Sequence, residues 1–190
     1  MLAPMSAVHH AQRDTLIRQL GLVFRERGYE GATLTHLAGA TGLGKASLYH
    51  HFPGGKAEMA EVLMRDAIAN AQRLAFSALA APEPATQRLQ RFVAGFGRYL
   101  EESGGPCLLG VLAMGSARSA HGERIAAQVR DWHAALARAL EEAGHKPKRA
   151  VRGASRILDL LYGSQMVASL LNDPKHQARA LKRLLRCLEP

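Results

Sequence analysis

Apolar residues recur along most of the chain with the three-to-four-residue period of α-helices. The first of these helices carries Leu16, Leu20, Val23 and Phe24 on one face and ends at Gly28. The alternation typical of strands is never sustained. Further helices are predicted at residues 34–41, 46–51, 56–80, 88–102, 107–114, 122–143, 149–171 and 175–188. The fold class is therefore all-α, with about nine helices.

Two of the predicted helices are short and separated by a glycine. Thr33 is a suitable N-cap for the first, and Gly42 permits the sharp turn before the second. This arrangement predicts a helix-turn-helix whose second helix is anchored by Leu48 and Phe52. Its polar side chains then face outwards, as a helix that reads DNA requires; they are Lys45, Ser47, Tyr49 and His50.

The net charge indicates a class of partner but does not locate a DNA-binding site. The chain of 190 residues has a net charge of +9 and a pI near 10.2, which favours a polyanionic partner such as nucleic acid. The excess is concentrated in residues 141–190 rather than around the helix-turn-helix. No apolar run reaches the length of a membrane span and no signal peptide is recognised, so we expect a cytoplasmic protein. Cys107 and Cys187 are expected to be reduced.

The segment "FRERGYEGATLTHLAGATGLGKASLYHHFPGGKAEM" resembles the N-terminal domain of TetR-type (TetR/AcrR) transcriptional regulators, a likeness that covers residues 13–59. It implies a DNA-binding domain at residues 1–53 and a ligand-binding and dimerisation domain at 54–190. It also implies DNA contacts from Thr33, Lys45, Ala46, Ser47, Tyr49, His50 and Lys56. The chain departs from the family pattern at Gly44, where Ser or Thr is usual, and by one extra residue before Lys56.

The resemblance further implies an effector pocket and a homodimer built by the last two long helices. Candidate ligand-binding residues are Phe92, Phe96, Tyr99, Met114, Trp132, His133, Tyr162, Gln165 and Met166. Candidate dimer-interface residues are Leu158, Leu161, Ala168, Leu181, Leu184, Leu185 and Leu188. Few charged residues are expected to face inwards, which indicates a lipophilic or aromatic effector. No cofactor and no metal site are expected, because His and Cys residues lack ligand spacing.

Three functions are compatible with a basic helical protein of this size. The first is a ligand-responsive transcriptional repressor that binds a pseudo-palindromic operator as a homodimer and is released by a small effector. The second is a small-molecule enzyme in a helical bundle, although no nucleophile–base pair is found. The third is an architectural DNA-binding protein that ignores sequence. The motif favours the repressor, which has no enzymatic activity.

Overall fold

The computed structural model describes the backbone of residues 5–187 and the side chains of residues 12–186. Over these residues the chain forms nine α-helices and no strand, which confirms the all-α prediction. The helices are α1 Met5–Gly31, α2 Leu34–Thr41, α3 Lys45–His51, α4 Gly55–Leu74, α5 Ala85–Ser103, α6 Leu108–Leu112, α7 Ala117–Glu142, α8 Pro147–Leu170 and α9 Lys175–Cys187. A short 3-10 helix, Phe76–Ala80, separates α4 from α5.

The predicted helix boundaries hold in part. Gly28, the predicted end of the first helix, has φ 67° and ψ 179° and interrupts α1 there, with a further helical turn up to Gly31. The helix predicted to run to residue 80 ends at Leu74, because Ala75 leaves the helical region with φ −123° and ψ −65°. The segment that follows forms 3-10 hydrogen bonds instead, and Phe76 is buried at its start.

The chain divides into two compact units. The first consists of residues 1–67 and 103–123, so that it includes α1, α2, α3 and α6. Within this unit α1 packs against α2 and α6. Its fully buried side chains come from all three helices of the N-terminal segment and from α4; they include Leu20, Phe24, Leu37, Leu48 and Met59. Burial of each contributes about 1.5–3 kcal/mol relative to exposure.

The second unit consists of residues 68–102 and 124–190. It contains α5, α8 and α9, and α8 packs against α9. Pro147 opens α8 at a position where its missing N–H costs nothing, and Asn172, with φ 48°, follows the end of that helix. The predicted domain boundary after residue 53 stays a prediction. None of the helices between residues 5 and 187 is long and apolar enough to span a membrane.

Candidate nucleic-acid interface

Helices α2 and α3 form the predicted helix-turn-helix. Thr33 precedes α2 in extended conformation, and its Oγ1 accepts a hydrogen bond from the His36 amide at 3.3 Å. Gly42 ends α2 with φ 68°, a conformation that a residue with a Cβ adopts only at a cost. The Thr41 hydroxyl donates to the Leu37 carbonyl at 2.8 Å, which ties the last turn of α2 to its buried residue. The turn between the helices is thus defined by local chemistry.

Helix α3 has one buried side chain and an otherwise exposed surface. Leu48 is completely buried and Phe52, directly after the helix, is 2% exposed. All the predicted contact residues of this helix are exposed: Lys45, Ala46, Ser47, Tyr49 and His50. A seven-residue helix is not stable alone, so these two apolar anchors hold it against the unit. The other side chains remain available to a partner, as a recognition helix requires.

The absence of a capping side chain at Gly44 is visible in the structure. Gly44 is the N-cap of α3 and provides only its carbonyl, which accepts from the Leu48 amide at 3.0 Å. At the start of α2, by contrast, both Thr33 and His36 are engaged: the His36 Nδ1 donates to the Gly31 carbonyl at 2.8 Å. His36 is exposed beside Thr33 and was not among the predicted contacts.

The extra residue before Lys56 is accommodated by Gly55, which has φ 63° and opens α4. A Cβ at Gly55 would lie 3.3 Å from Cε1 of Tyr49, so the tyrosine ring packs against the glycine backbone. Glu58, which the sequence analysis overlooked, accepts a hydrogen bond from the Gly54 amide at 2.7 Å. Its signal is the Gly-x-x-x-Glu spacing, in which a carboxylate reaches back to the start of its own helix.

Lys56 is half-buried and bonded within the chain. Its Nζ donates to the Tyr29 carbonyl at 2.9 Å and lies 4.4 Å from the centre of the Tyr29 ring. An ammonium has three donors, so this bond leaves two for another acceptor. Its contact with a DNA phosphate stays a prediction. In the described structure Lys56 holds the start of α4 to the end of α1.

Two polar contacts connect α1 with the segment around α6. The Arg25 Nε donates to the Pro106 carbonyl at 3.0 Å, and the Glu30 carboxylate accepts from the Ser116 amide at 2.5 Å. Hydrogen bonds from Ser116, first from its side chain and then from its backbone, hold the pKa of the Glu30 carboxyl below its usual value. Both contacts lie within the first unit and attach its long helix to the turn before α7.

Four of the predicted ligand-binding residues form an aromatic cluster in the second unit. Phe92, Phe96, Tyr99 and Trp132 are all buried. Phe92 lies 6.3 Å from Phe96, and Phe96 lies 5.7 Å from Tyr99, as measured between ring centres. The cluster also includes Phe76, which the sequence analysis placed inside a long helix and did not select. Phe76 stacks on Trp132 with ring centres 4.3 Å apart.

The other predicted ligand residues are dispersed. Gln165 is buried and its Nε2 donates to the Leu161 carbonyl at 2.8 Å, while His133 Nε2 lies 3.0 Å from the Ser155 hydroxyl. Tyr162 is half-buried. Met166 is exposed, and Met114 is exposed and belongs to the first unit. No three His, Cys, Asp or Glu side chains group as a metal site among the described residues.

The predicted dimer residues are mostly part of the core of a single chain. Leu158, Leu161, Leu181 and Leu184 are buried within it, and Leu161 has no exposed surface at all. They are buried within one chain, where α8 and α9 pack against each other, and their contact with a second subunit stays a prediction. Ala168 and Leu185 are half-buried, and Leu188 lies outside the described residues. The exposed apolar residues of α8 are instead Val151, Met166, Val167 and Leu170.

Comparisons with known proteins agree with this geometry. Residues 23–63 match the model of the family described as bacterial regulatory proteins, tetR family. The HTH-type transcriptional repressor DhaR of Mycobacterium sp. (strain GP1) is 33% identical over 99 residues. The match covers 52% of this chain and spans about half, 48%, of the length of DhaR.

The fold is similar to those of solved regulators along most of its length. A TetR transcriptional regulator from Legionella pneumophila superposes with a TM-score of 0.73 at 16% identity, over 92% of this chain and 95% of that one. AibR, solved in complex with isovaleryl coenzyme A and operator DNA, gives a TM-score of 0.62 at 19% identity, over 78% of this chain and 83% of AibR. Residues 23–63 therefore match the helix-turn-helix of the tetR family of bacterial regulatory proteins, and the fold of the chain is similar to that of solved TetR regulators.

Proposed function

We propose that the protein is a cytoplasmic, ligand-responsive transcriptional repressor without enzymatic activity. It binds a pseudo-palindromic operator as a homodimer and is released by a small lipophilic or aromatic effector. The observation that carries the proposal is the surface of α3, where Lys45, Ser47, Tyr49 and His50 are exposed around a single buried leucine. The name of the relative DhaR, a transcriptional repressor, supports it. So does the complex of AibR with operator DNA and an acyl coenzyme A.

Each side chain of α3 has a distinct role in this proposal. Lys45 and Ser47 meet base edges in the major groove, where lysine pairs with the guanine O6 and N7 acceptors. Tyr49 contacts a phosphate with its hydroxyl, and so does Lys56 with its two free N–H donors. Thr33 places the N-terminus of α2 towards another phosphate, a position that the helix dipole favours for an anion. Ala46 contacts the DNA by van der Waals packing. His50 contacts either a base or a phosphate.

The dimer surface that we propose differs from the leucines first selected. Met166, Val167 and Leu170 are exposed on the last turns of α8, and Leu171 follows them; Leu170 is 77% exposed. Such a group of large apolar side chains is unusual on a monomer surface. Pairing of two copies through this surface would bury it and would supply the two α3 helices that an operator read in successive major grooves, about 34–36 Å apart, requires.

An effector acts by preferring a form of the dimer that does not fit the operator. Reversal of the bound fraction from 99:1 to 1:99 requires a preference of about 5.5 kcal/mol between the two forms. The aromatic cluster around Trp132 lies in the second unit, and it is the best candidate for the effector site because its side chains are apolar and converge.

The test is a selection of genomic DNA fragments by the purified protein at roughly 150 mM salt, where non-specific binding is weakened. Lys45→Ala and Ser47→Ala are compared with Lys182→Ala, which removes the same charge from an exposed position of α9. We expect an enriched inverted repeat that Lys45→Ala loses and Lys182→Ala retains, with a loss of about 1–3 kcal/mol in affinity for Lys45→Ala. Equal recovery of random DNA would contradict the proposal and favour an architectural protein.

A further inference from the structure

Phe76 and Trp132 form a nearly parallel stack inside the second unit. Their ring centres are 4.3 Å apart and their planes differ by 6°, whereas the neighbouring pair of Phe76 and Phe92 is tilted by 59° at 4.9 Å. Offset parallel rings and tilted rings are both usual arrangements of aromatic side chains in a protein core. The Phe76 ring lies beside the face of the indole, in the position that the ring of an aromatic ligand would take.

The indole of Trp132 has an unused hydrogen-bond donor. Trp132 is 2% exposed, and its Nε1 finds no acceptor among the residues that the structure describes. Buried tryptophans usually donate this hydrogen to a partner, and an exception calls for an explanation. An acceptor atom on a bound molecule would satisfy the donor, and neither Phe76 nor Phe92 has one.

Phe76 is the more easily displaced ring of the stack. Trp132 lies in the middle of the 26-residue helix α7, whereas Phe76 begins a 3-10 helix of five residues. The hydrogen bonds of this segment join residues only three positions apart, such as the Ala78 amide and the Ala75 carbonyl at 3.1 Å. Short 3-10 segments have poor hydrogen-bond geometry, so a change in this backbone sacrifices little. Arg88 holds the other end through the Leu79 carbonyl at 2.7 Å.

We propose that Trp132 is the platform of the effector site. An aromatic compound displaces the Phe76 ring and stacks on the indole, and a carbonyl on a flexible arm out of its ring plane accepts the hydrogen bond of Nε1, which points along the plane of the indole. This inference rests on the proposed function, since it assigns the chemical class of the effector of that repressor. It also defines specificity: the site selects both an aromatic ring and an acceptor that reaches past the edge of the indole.

The single tryptophan of the chain makes the site directly observable. In a protein labelled with 15N, the indole N–H of Trp132 gives one resonance, which is titrated with three neutral probes of similar size. Phenylacetone, whose carbonyl is on a flexible arm, has both features, propylbenzene lacks the acceptor, and cyclohexylacetone lacks the aromatic ring. We expect phenylacetone to move the indole proton downfield, as a gained hydrogen bond does, and to bind about tenfold more tightly than either other probe. No shift at saturation, or equal affinity for all three, overturns the inference.

Two variants separate ring displacement from a general loosening of the core. Phe76→Ala removes the ring that the ligand must displace, so we expect it to bind phenylacetone about tenfold more tightly. Leu89→Ala truncates another buried side chain of the same unit and should change the affinity by less than about twofold. If Phe76→Ala fails to fold, Phe76→Leu replaces it. Equal gains in both variants would overturn the displacement.

The DNA selection is repeated with the same samples. Enrichment of an inverted repeat without any shift of the Trp132 resonance overturns this inference but agrees with the proposed function as a repressor. A shift specific to the ketone without sequence-specific DNA binding overturns the proposed function and, with it, the role of the site as an effector site. A shift together with release of the enriched fragment by phenylacetone supports both.

Discussion

Gly95 lies where two backbone segments approach closely, and its replacement by alanine tests the packing around the proposed effector site. A Cβ at this position would lie 1.9 Å from the Leu74 carbonyl oxygen, 2.8 Å from the Leu74 carbonyl carbon and 3.0 Å from the Ala75 Cα. All three neighbours are backbone atoms, so no side-chain rotation relieves the overlap. Helix α5 would have to move away from the end of α4 by about 1 Å to restore ordinary contact distances.

The magnitude follows from two opposing terms. Overpacking of a well-packed site costs about 1–3 kcal/mol, and backbone neighbours put Gly95 at the upper end of that range. Alanine in a helix interior gains about 1 kcal/mol over glycine. We therefore expect Gly95→Ala to lower the free energy of unfolding by about 2 kcal/mol. Since Ala75 and Phe76 follow Leu74 directly, the fluorescence of Trp132 should change as well.

Gly97 on the same helix provides the matched control. A Cβ there would meet only Cδ1 of Leu181, at an ordinary 3.4 Å, so Gly97→Ala retains the helix-propensity gain without a clash. It should stabilise the protein by about 0.5–1 kcal/mol. Both variants are measured by urea unfolding at one fixed protein concentration, because dimerisation makes stability concentration-dependent. If Gly95→Ala is as stable as Gly97→Ala, the close approach of α5 to Leu74 is refuted.

Three further perturbations test single contacts. Arg88 is buried and bonded to the Leu79 carbonyl and the Glu142 carboxylate; Arg88→Ala should cost about 2 kcal/mol in urea unfolding, and Arg88→Met, which keeps the packing, clearly less. The pKa of Glu30 is below its ordinary value of 4.5, so its contribution to stability is present above that pH and lost as the pH falls through the lowered pKa. The difference between wild type and Glu30→Gln should therefore be seen at neutral pH and disappear in acid unfolding curves; an unchanged difference contradicts the assignment. Thr33→Ala removes the N-cap of α2 and should cost about 1 kcal/mol by thermal unfolding, whereas Thr33→Ser should be nearly neutral.

The helix-turn-helix could be predicted because its determinants are local. Thr33 caps, Gly42 adopts a positive φ, and the spacing from Leu48 to Phe52 sets the buried face, and none of these requires a distant residue. The end of α4 could not be predicted, because the alanine-rich sequence after Leu74 continues the helical period. Gly95 of α5, about twenty residues further along the chain, lies against the Leu74 carbonyl at the end of α4, and this contact between distant residues has no sign in the local sequence. Phe76 was not selected because the same alanine-rich sequence placed it inside a continuous helix.

The dimer residues illustrate another limit of periodicity. An apolar stripe such as Leu181 and Leu184 shows that one face of a helix is covered, but it does not say by which neighbour. Here α8 packs against α9 within the same chain. Met166 and Leu170 are exposed, although nothing in the sequence pattern distinguishes them from the buried apolar residues of α8. Only the fold distinguishes a leucine buried by its own chain from one available to a second copy.

Buried and exposed residues of α3 have separate roles, which explains why a recognition helix needs only a few buried side chains. A seven-residue helix has no independent stability, and its formation depends on tertiary contacts rather than on propensity. Leu48 and Phe52 supply these contacts from buried positions, while Lys45 and Ser47 are exposed and contribute nothing to the core. In the proposed repressor, operator preference can therefore change at the exposed positions without loss of the fold, whereas truncation of Leu48 removes the buried anchor of the helix. Stability and specificity reside in different residues of the same two turns.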